Sequence, residues 1–348
     1  VNIHTTYMGC GLGRRAAPDF VVEAVIASKV SGKPVKVVWT REEDIQYDLF
    51  RAATCQRVEA GLDGQGQLTG WSHKVVAGSI FKLINPKAIQ NGVDIMSLWG
   101  LVDFPGSPDG NRILYEIPNL YLEFLISELP VPVTAWRSVQ NGPNAFVTEC
   151  FMDEMAHAAG KDPLEFRLAL LKESKGAQRV LKVAAEKAGW GKPLPKGQGR
   201  GIAQHHCFGT DVAAVAEVSV NEKDGHVKVK RVVVAVDCGL AVNPLNVEGQ
   251  IQGGVINALS TALKEEVRFA KGGVKSANFE DYGILRMSEV PDIEVHLVEG
   301  NDKMGGIGEP GVPPTAPAVV NAFFNATGVR IRRIPLTPEV VLGALKKK

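Results

Sequence analysis

The sequence predicts an α+β fold, and three observations carry that prediction. Alternating, β-branched runs occur in pairs joined by turn residues, which is the pattern of hairpins. Long helical periods are scattered among them without a regular strand–helix alternation. The composition of 45% hydrophobic and 22% charged residues over 348 positions allows enough buried core for two packed domains.

The elements follow in order. Val1-Asn2-Ile3-His4-Thr5-Thr6 alternates like a strand entered midway, so the chain is expected to be a fragment or a split subunit whose partner supplies the preceding strands. Gly9-Cys10-Gly11-Leu12-Gly13-Arg14-Arg15 is a loop, followed by a helix over residues 19–29 that Gly32 closes. Residues 35–40 alternate as a strand. Residues 55–60 and 68–77 form a hairpin pair through Leu62-Asp63-Gly64, and residues 99–112 are loop. From Asn144 the period becomes helical to near Gly160, and Asp162-Pro163 caps a second helix reaching Lys172. Residues 191–200 make the clearest linker. Beyond it, residues 212–220 and 227–236 form a valine-rich hairpin, and helices follow over residues 246–264 and 316–326, the last capped by Gly328. The expected division is residues 1–134 and 135–348.

Charge and cysteine usage narrow the function. A net charge of +1 gives no basic surface for nucleic acid, and Lys346, Lys347 and Lys348 read as a solvated tail. The five cysteines include no C-x-x-C pair, so any iron–sulfur cluster is expected on another chain. No apolar stretch is long enough to span a membrane, and the opening residues lack the basic and apolar regions of an export signal.

Four segments carry chemistry. Three glycines at alternate positions, Gly9, Gly11 and Gly13, let bare backbone N–H groups approach an anion. A plain tight turn and a dinucleotide fold are the competing readings, the latter opposed by Arg14 where a third glycine would stand. Gly305-Gly306-Ile307-Gly308-Glu309-Pro310-Gly311 sets one carboxylate in a glycine run, extended by the following proline. A poorly solvated carboxylate suits a general base; an exposed glutamate on a flexible loop is the plainer reading. On the helix at 246–264, Gln250, Gly253, Gly254 and Asn257 share one face. Helical glycines are unfavourable, so close approach by a ligand or by another helix is expected. Ala135-Trp136-Arg137-Ser138-Val139 ends a strand on an arginine whose rigid fork suits a phosphate, an oxo group or an ordinary ion pair.

Taken in this order, the segments resemble the molybdopterin-binding large subunit of the xanthine dehydrogenase/aldehyde oxidase superfamily, in its isoquinoline 1-oxidoreductase beta-subunit branch. The match includes Gly9 to Arg15, Trp136-Arg137-Ser138-Val139, the Glu149-to-Glu154 helix, Val236-Asp237-Cys238-Gly239, Gln250-Ile251-Gln252-Gly253-Gly254 and Gly308-Glu309-Pro310-Gly311. Cys10 and Leu12 depart from the family's glycine and phenylalanine, as does Asn257-Ala258 from its usual pair. The family's N-terminal half, with the Gly-Gln-Gly loop it carries there, is expected to lie outside these 348 residues.

The resemblance implies two molybdopterin-binding domains, the first lacking its N-terminal half and the second carrying the glutamate loop. It implies a molybdenum ion held through a pterin dithiolene, in the cytosine dinucleotide form, with no metal ligand from the protein. Glu309 would be the base that activates the metal's hydroxide. Gly11, Leu12, Gly13 and Arg14 would lie beside the cofactor, with Arg137, Gln250, Gly253 and Gly308. The implied substrates are aldehydes or N-heteroaromatic compounds, with water as the oxygen donor. The implied partners are a chain supplying the missing half, a small [2Fe–2S] subunit and a cytochrome c subunit. Relatives of this branch are periplasmic or cytoplasmic; the preferred expectation is periplasmic, with the export signal on a partner. Two rivals remain, a nicotinamide dehydrogenase built on the Gly9 loop and a non-catalytic assembly half-subunit.

Overall fold

A computed structural model of the protein describes residues 4, 7, 9–103 and 112–347. The strand expected over residues 1–6 falls largely outside these residues, as does most of the loop expected over 99–112.

Past the first glycine loop, α1 (Asp19–Ser31) ends on Gly32, whose φ of 63° makes the left-handed cap. Residues 35–40 form no regular element and join no ladder among the described residues. Trp39 instead leans on α1, its Nε1–H donating to Glu23 Oε2 at 3.0 Å. Among the described residues no strand edge stands beside this run, and the strand expected there does not form. Helix α2 (Arg41–Tyr47) starts on a capping box of Thr40 and Glu43. Then come β1 (Phe50–Arg51), β2 (Thr54–Leu62), β3 (Leu68–Ala77), α3 (Phe81–Ile84), β4 (Leu120–Ile126) and β5 (Val133–Thr134). β2 and β3 form the expected antiparallel hairpin, β4 adds to β3 in parallel, and β1 pairs in parallel with β5.

Next, α4 (Asn141–Ala158) leads to α5 (Pro163–Ala169) and α6 (Lys175–Ala188). Asp162 caps α5, accepting from the N–H groups of Leu164 and Glu165. The chain then runs through β6 (Gln198–Cys207), β7 (Thr210–Val220), β8 (Val227–Asp237), α7 (Pro244–Leu263), β9 (Phe269–Ala270), β10 (Gly273–Val274), β11 (Asp292–Leu297), α8 (Thr315–Thr327) and α9 (Pro338–Leu345). Strands order β11-β8-β7-β6, antiparallel except for β11, which lies parallel to β8.

This sheet is buried on both faces, which is why β7 and β8 read as continuous alanine and valine rather than as alternation. Val212, Ala214, Ala216, Val232, Val234 and Val236 pack with α7 and α8. The opposite parity, Ala213, Val215, Val233 and Ala235, packs with α6 and with Trp71 of β3. The expected linker at 191–200 is corrected at its end, because Gln198, Gly199 and Arg200 belong to β6 and pair with β7. Its glycines serve packing: a Cβ at Gly199 would stand 2.2 Å from the Ala322 carbonyl oxygen, and one at Gly201 2.2 Å from the Ala322 nitrogen. Helix α8 therefore lies directly on the β6 backbone.

Candidate active site

Glu309 stands at the head of α8, in a loop pressed onto the end of the β6–β7 hairpin. A Cβ at Gly305 would lie 2.3 Å from Thr210 Oγ1 and 2.4 Å from the Gly209 carbonyl oxygen. The Gly306 N–H donates to Phe208 O at 2.6 Å, and the Thr210 hydroxyl to Gly306 O at 2.8 Å. Further on, Gly254 of α7 meets Gly311, a Cβ there being 3.1 Å from the Gly311 Cα. One of the two helical glycines thus admits a backbone, while Gly253 opens toward Arg137, a Cβ standing 3.5 Å from Nη1.

Arg137 ties these pieces together. Its Nε–H donates to Gly308 O at 2.7 Å, and its Nη2 donates to Gln250 O and Gln250 Oε1, both at 3.0 Å. The next residue meets the carboxylate: the Ser138 N–H donates to Glu309 Oε1 at 3.1 Å. That N–H is aimed by an unusual backbone. Ser138 and Val139 both have positive φ, 74° and 49°, which for a β-branched valine costs on the order of 1–3 kcal/mol. Turn bonds hold it, Val139 N–H to Trp136 O at 2.6 Å and Asn141 N–H to Ser138 O at 2.9 Å. Arg51 of β1 adds two more, Nη1 to Val139 O at 2.8 Å and Nη2 to Arg137 O at 2.9 Å.

The electrostatics suit proton acceptance. Burial raises the Glu309 pKa above the usual carboxylate value, while the Ser138 N–H, Arg137 and Arg51 pull the other way. Cys207 lies close enough to feel Glu309, but burial and that charge push its thiol well up, which leaves it a poor nucleophile.

The first glycine loop reaches the same region at one end. Gly13, at φ 92°, is so close to the strand before Arg137 that a Cβ would stand 2.4 Å from Ala135 O. Cys10 lies within electrostatic reach of Arg137, and Leu12 is exposed with a positive φ of 48°. Gly11 accepts the Arg14 N–H at 2.9 Å. Arg14 itself spends its guanidinium elsewhere, with Nη1 and Nη2 on Asp19 at 2.9 and 2.7 Å and Nε on Asp48. A surface groove of about 980 Å³ between α1 and residues 37–48 includes Arg14 but neither Glu309 nor Arg137. Of the residues singled out from the sequence, Arg137, Gln250, Gly253, Gly308 and Glu309 converge; Gly11, Leu12 and Gly13 border them, and Arg14 braces the loop. Arg51 went unforeseen because no sequence motif marks it, and the Ser138 N–H because its motif, Trp136-Arg137-Ser138-Val139, drew attention to the arginine alone.

The chain is similar to known proteins in sequence and in fold. Family models described as molybdopterin cofactor-binding domain match residues 1–82 and 151–291. Isoquinoline 1-oxidoreductase subunit beta of Brevundimonas diminuta is 34% identical over 97% of this chain and 43% of that protein. The membrane-bound aldehyde dehydrogenase [pyrroloquinoline-quinone] of Gluconacetobacter polyoxogenes is 32% identical over 99% of this chain and 47% of its own length. The chain therefore spans less than half of each of these two relatives. Quinoline 2-oxidoreductase from Pseudomonas putida 86 shares the fold, with a TM-score of 0.80 at 14% identity over 98% of this chain and 68% of that one.

Proposed function

This chain belongs to the xanthine dehydrogenase/aldehyde oxidase superfamily of molybdopterin-binding proteins, and from that premise we propose that it is part of a molybdenum hydroxylase large subunit. The proposed reaction is oxidation of aldehydes or N-heteroaromatic compounds with water as the oxygen donor. One observation carries the reading: Glu309, its pKa raised by burial, is oriented by the Ser138 N–H beside the cation of Arg137. The dinucleotide alternative finds no support in the fold, because the main sheet is antiparallel in β6, β7 and β8 and not a doubly wound parallel one.

The residues present fit a large polar cofactor. At Gly308 the nearest atom a Cβ would meet is Gln250 Oε1 at 4.0 Å, and at Gly9 nothing lies within 4 Å, so both leave bare backbone open to a bulky group. Ser138 Oγ, by Gly142 at the start of α4, is buried without a hydrogen-bond partner, an unused polar atom in the turn that meets Glu309. Gln250 and Gly253 would hold the pterin arm, and Gly11, Leu12 and Gly13 would offer backbone N–H groups at the rim. When bound, the molybdenum cofactor, in its cytosine dinucleotide form, supplies the two-electron redox chemistry. The chain's own part is Glu309, which accepts a proton at Oε2 while Oε1 stays on the Ser138 N–H. Arg137 keeps its charge and holds Gln250 and Gly308 in register with it. The proposed partners are a chain carrying the other half of the large subunit, a [2Fe–2S] subunit and a cytochrome c.

The test pairs metal analysis with one substitution in the complex as purified. Molybdenum near one per chain is expected, with iron from the partner. Glu309→Gln should retain that molybdenum and the thermal midpoint yet lose on the order of 10²–10⁴ in turnover. Near-normal turnover would remove Glu309 from the role. The acid limb of kcat/KM should lie above the ordinary glutamate pKa of about 4.3, since the base works ionised and burial raises its pKa.

A further inference from the structure

Resting on Glu309 as the base, we infer that Arg51 is a positioning residue: it holds the turn at residues 137–139 in the conformation that aims the Ser138 N–H at the Glu309 carboxylate. Three features of Arg51 lead there.

The first is placement. β1 is only two residues long, yet it pairs Phe50 with Val133 and Arg51 with Thr134, just before the turn. The root of the Arg51 side chain is thereby fixed against the strand that delivers Arg137.

The second is donor geometry. Nη1 and Nη2 donate to Val139 O and Arg137 O at 2.8 and 2.9 Å, the two carbonyls on either side of Ser138. The Arg137 carbonyl and the Ser138 N–H belong to one planar peptide group, so the bond from Nη2 fixes the direction of that N–H, and a planar guanidinium that also bridges to Val139 O holds the turn as a single ammonium donor cannot. That peptide leads into two consecutive non-glycine residues at positive φ, a conformation that persists only where its surroundings impose it.

The third is what Arg51 lacks. Among the described residues no carboxylate lies within ion-pair distance of it; Glu265, Glu309 and Tyr282 act on it only through space. Burial draws its pKa down to about 10, the mark of a cation placed at some cost. An arginine kept there for charge alone would be expected to hold a carboxylate directly. This one holds two carbonyls of the turn beside the base.

The experiment uses Arg51→Lys and Arg51→Met in the complex as purified, with two readouts that need no turnover. One is amide exchange in peptides covering residues 136–141, with β7 and β8 as internal control. The other is the titration of Glu309, followed as the carboxyl infrared band that Glu309→Gln removes. Charged groups facing Glu309 are Arg137 and Arg51, with the Cys207 thiol nearby, and only Arg51 is altered. Exchange at 136–141 should rise about tenfold or more in both variants while β7 and β8 stay at the parent rate. Glu309 should titrate higher by about half a pH unit or more, in Met because charge and aim are lost and in Lys because aim is lost. Two results overturn the inference: exchange at 136–141 unchanged in Arg51→Met, or full restoration of both readouts by Arg51→Lys, which would reduce Arg51 to a charge. If Arg51→Met fails to fold, the lysine variant decides alone. An active Glu309→Gln enzyme would remove the base and leave the exchange result standing. Parental exchange in both Arg51 variants would do the reverse.

Discussion

The two glycine-rich loops of this chain are fixed in different ways. Residues 305–311 are wedged at both ends: Gly305 lies against Gly209 and Thr210, Gly306 is bonded to Phe208, and Gly311 lies against Ile251 and Gly254 of α7. Residues 9–13 are pinned at one end, by Gly13 against Ala135 and by Arg14 reaching two aspartates, while nothing stands within 4 Å of the Cβ direction at Gly9. Glycine thus permits contact in one loop and openness in the other. The loop that carries Glu309, the proposed base, is the one held at both ends. A base must be held in one place, whereas a rim that borders a bulky ligand can leave its outer end free.

The comparison breaks most easily at Gly305. Gly305→Ala drives a methyl into a backbone carbonyl that cannot swing aside, so the loop or the hairpin end must shift. A loss of about 1–3 kcal/mol is expected by chemical denaturation, with turnover falling because Glu309 moves. Stability and turnover both at the parent level would show that the wedge is not what holds the loop. Arg14→Met attacks the other loop through its clamp and should act more weakly, about 1–2 kcal/mol, because Asp19 and Asp48 keep some contact with water. Its effect should centre on residues 9–19 in amide exchange and on cofactor retention. If exchange instead rises around 305–311, the two loops are one cooperative unit.

Much of the site could be found from sequence because its residues sit in compact motifs. Glu309 among glycines, Arg137 after a tryptophan, and Gln250 three residues before Gly253 are local patterns that survive without a fold. The Ser138 N–H on Glu309 joins residues 171 positions apart, and Arg51 is 86 and 88 positions from the carbonyls it holds; no local pattern encodes either. In the fold, the hairpins β2–β3 and β7–β8 and the helices closed by Gly32 and Gly328 were plain. Residues 35–40 misled because alternation records exposure, not the presence of a partner strand. Gly199 misled in the other direction, looking like linker where it admits α8 onto β6. Two elements were present in the sequence and passed over. Thr40 and Glu43 spell the capping box of α2, and Ala177, Val180, Leu181, Ala184, Ala185 and Ala188 recur at helical spacing along the buried face of α6.

The smallest effect is the one that most sharpens the contrast. Gly9 and Gly305 each begin a glycine-rich run after a methionine, yet a Cβ at Gly9 meets nothing within 4 Å among the described residues. Gly9→Ala should therefore change stability by no more than about 0.5 kcal/mol, and can raise it slightly by restricting the unfolded chain. Molybdenum content then separates two uses of the open space. Unchanged content with unchanged stability makes Gly9 a bystander at the rim. Loss of molybdenum without loss of stability would mean that the space around Gly9 is filled by the cofactor itself, so that openness, and not backbone freedom, is why glycine stands there.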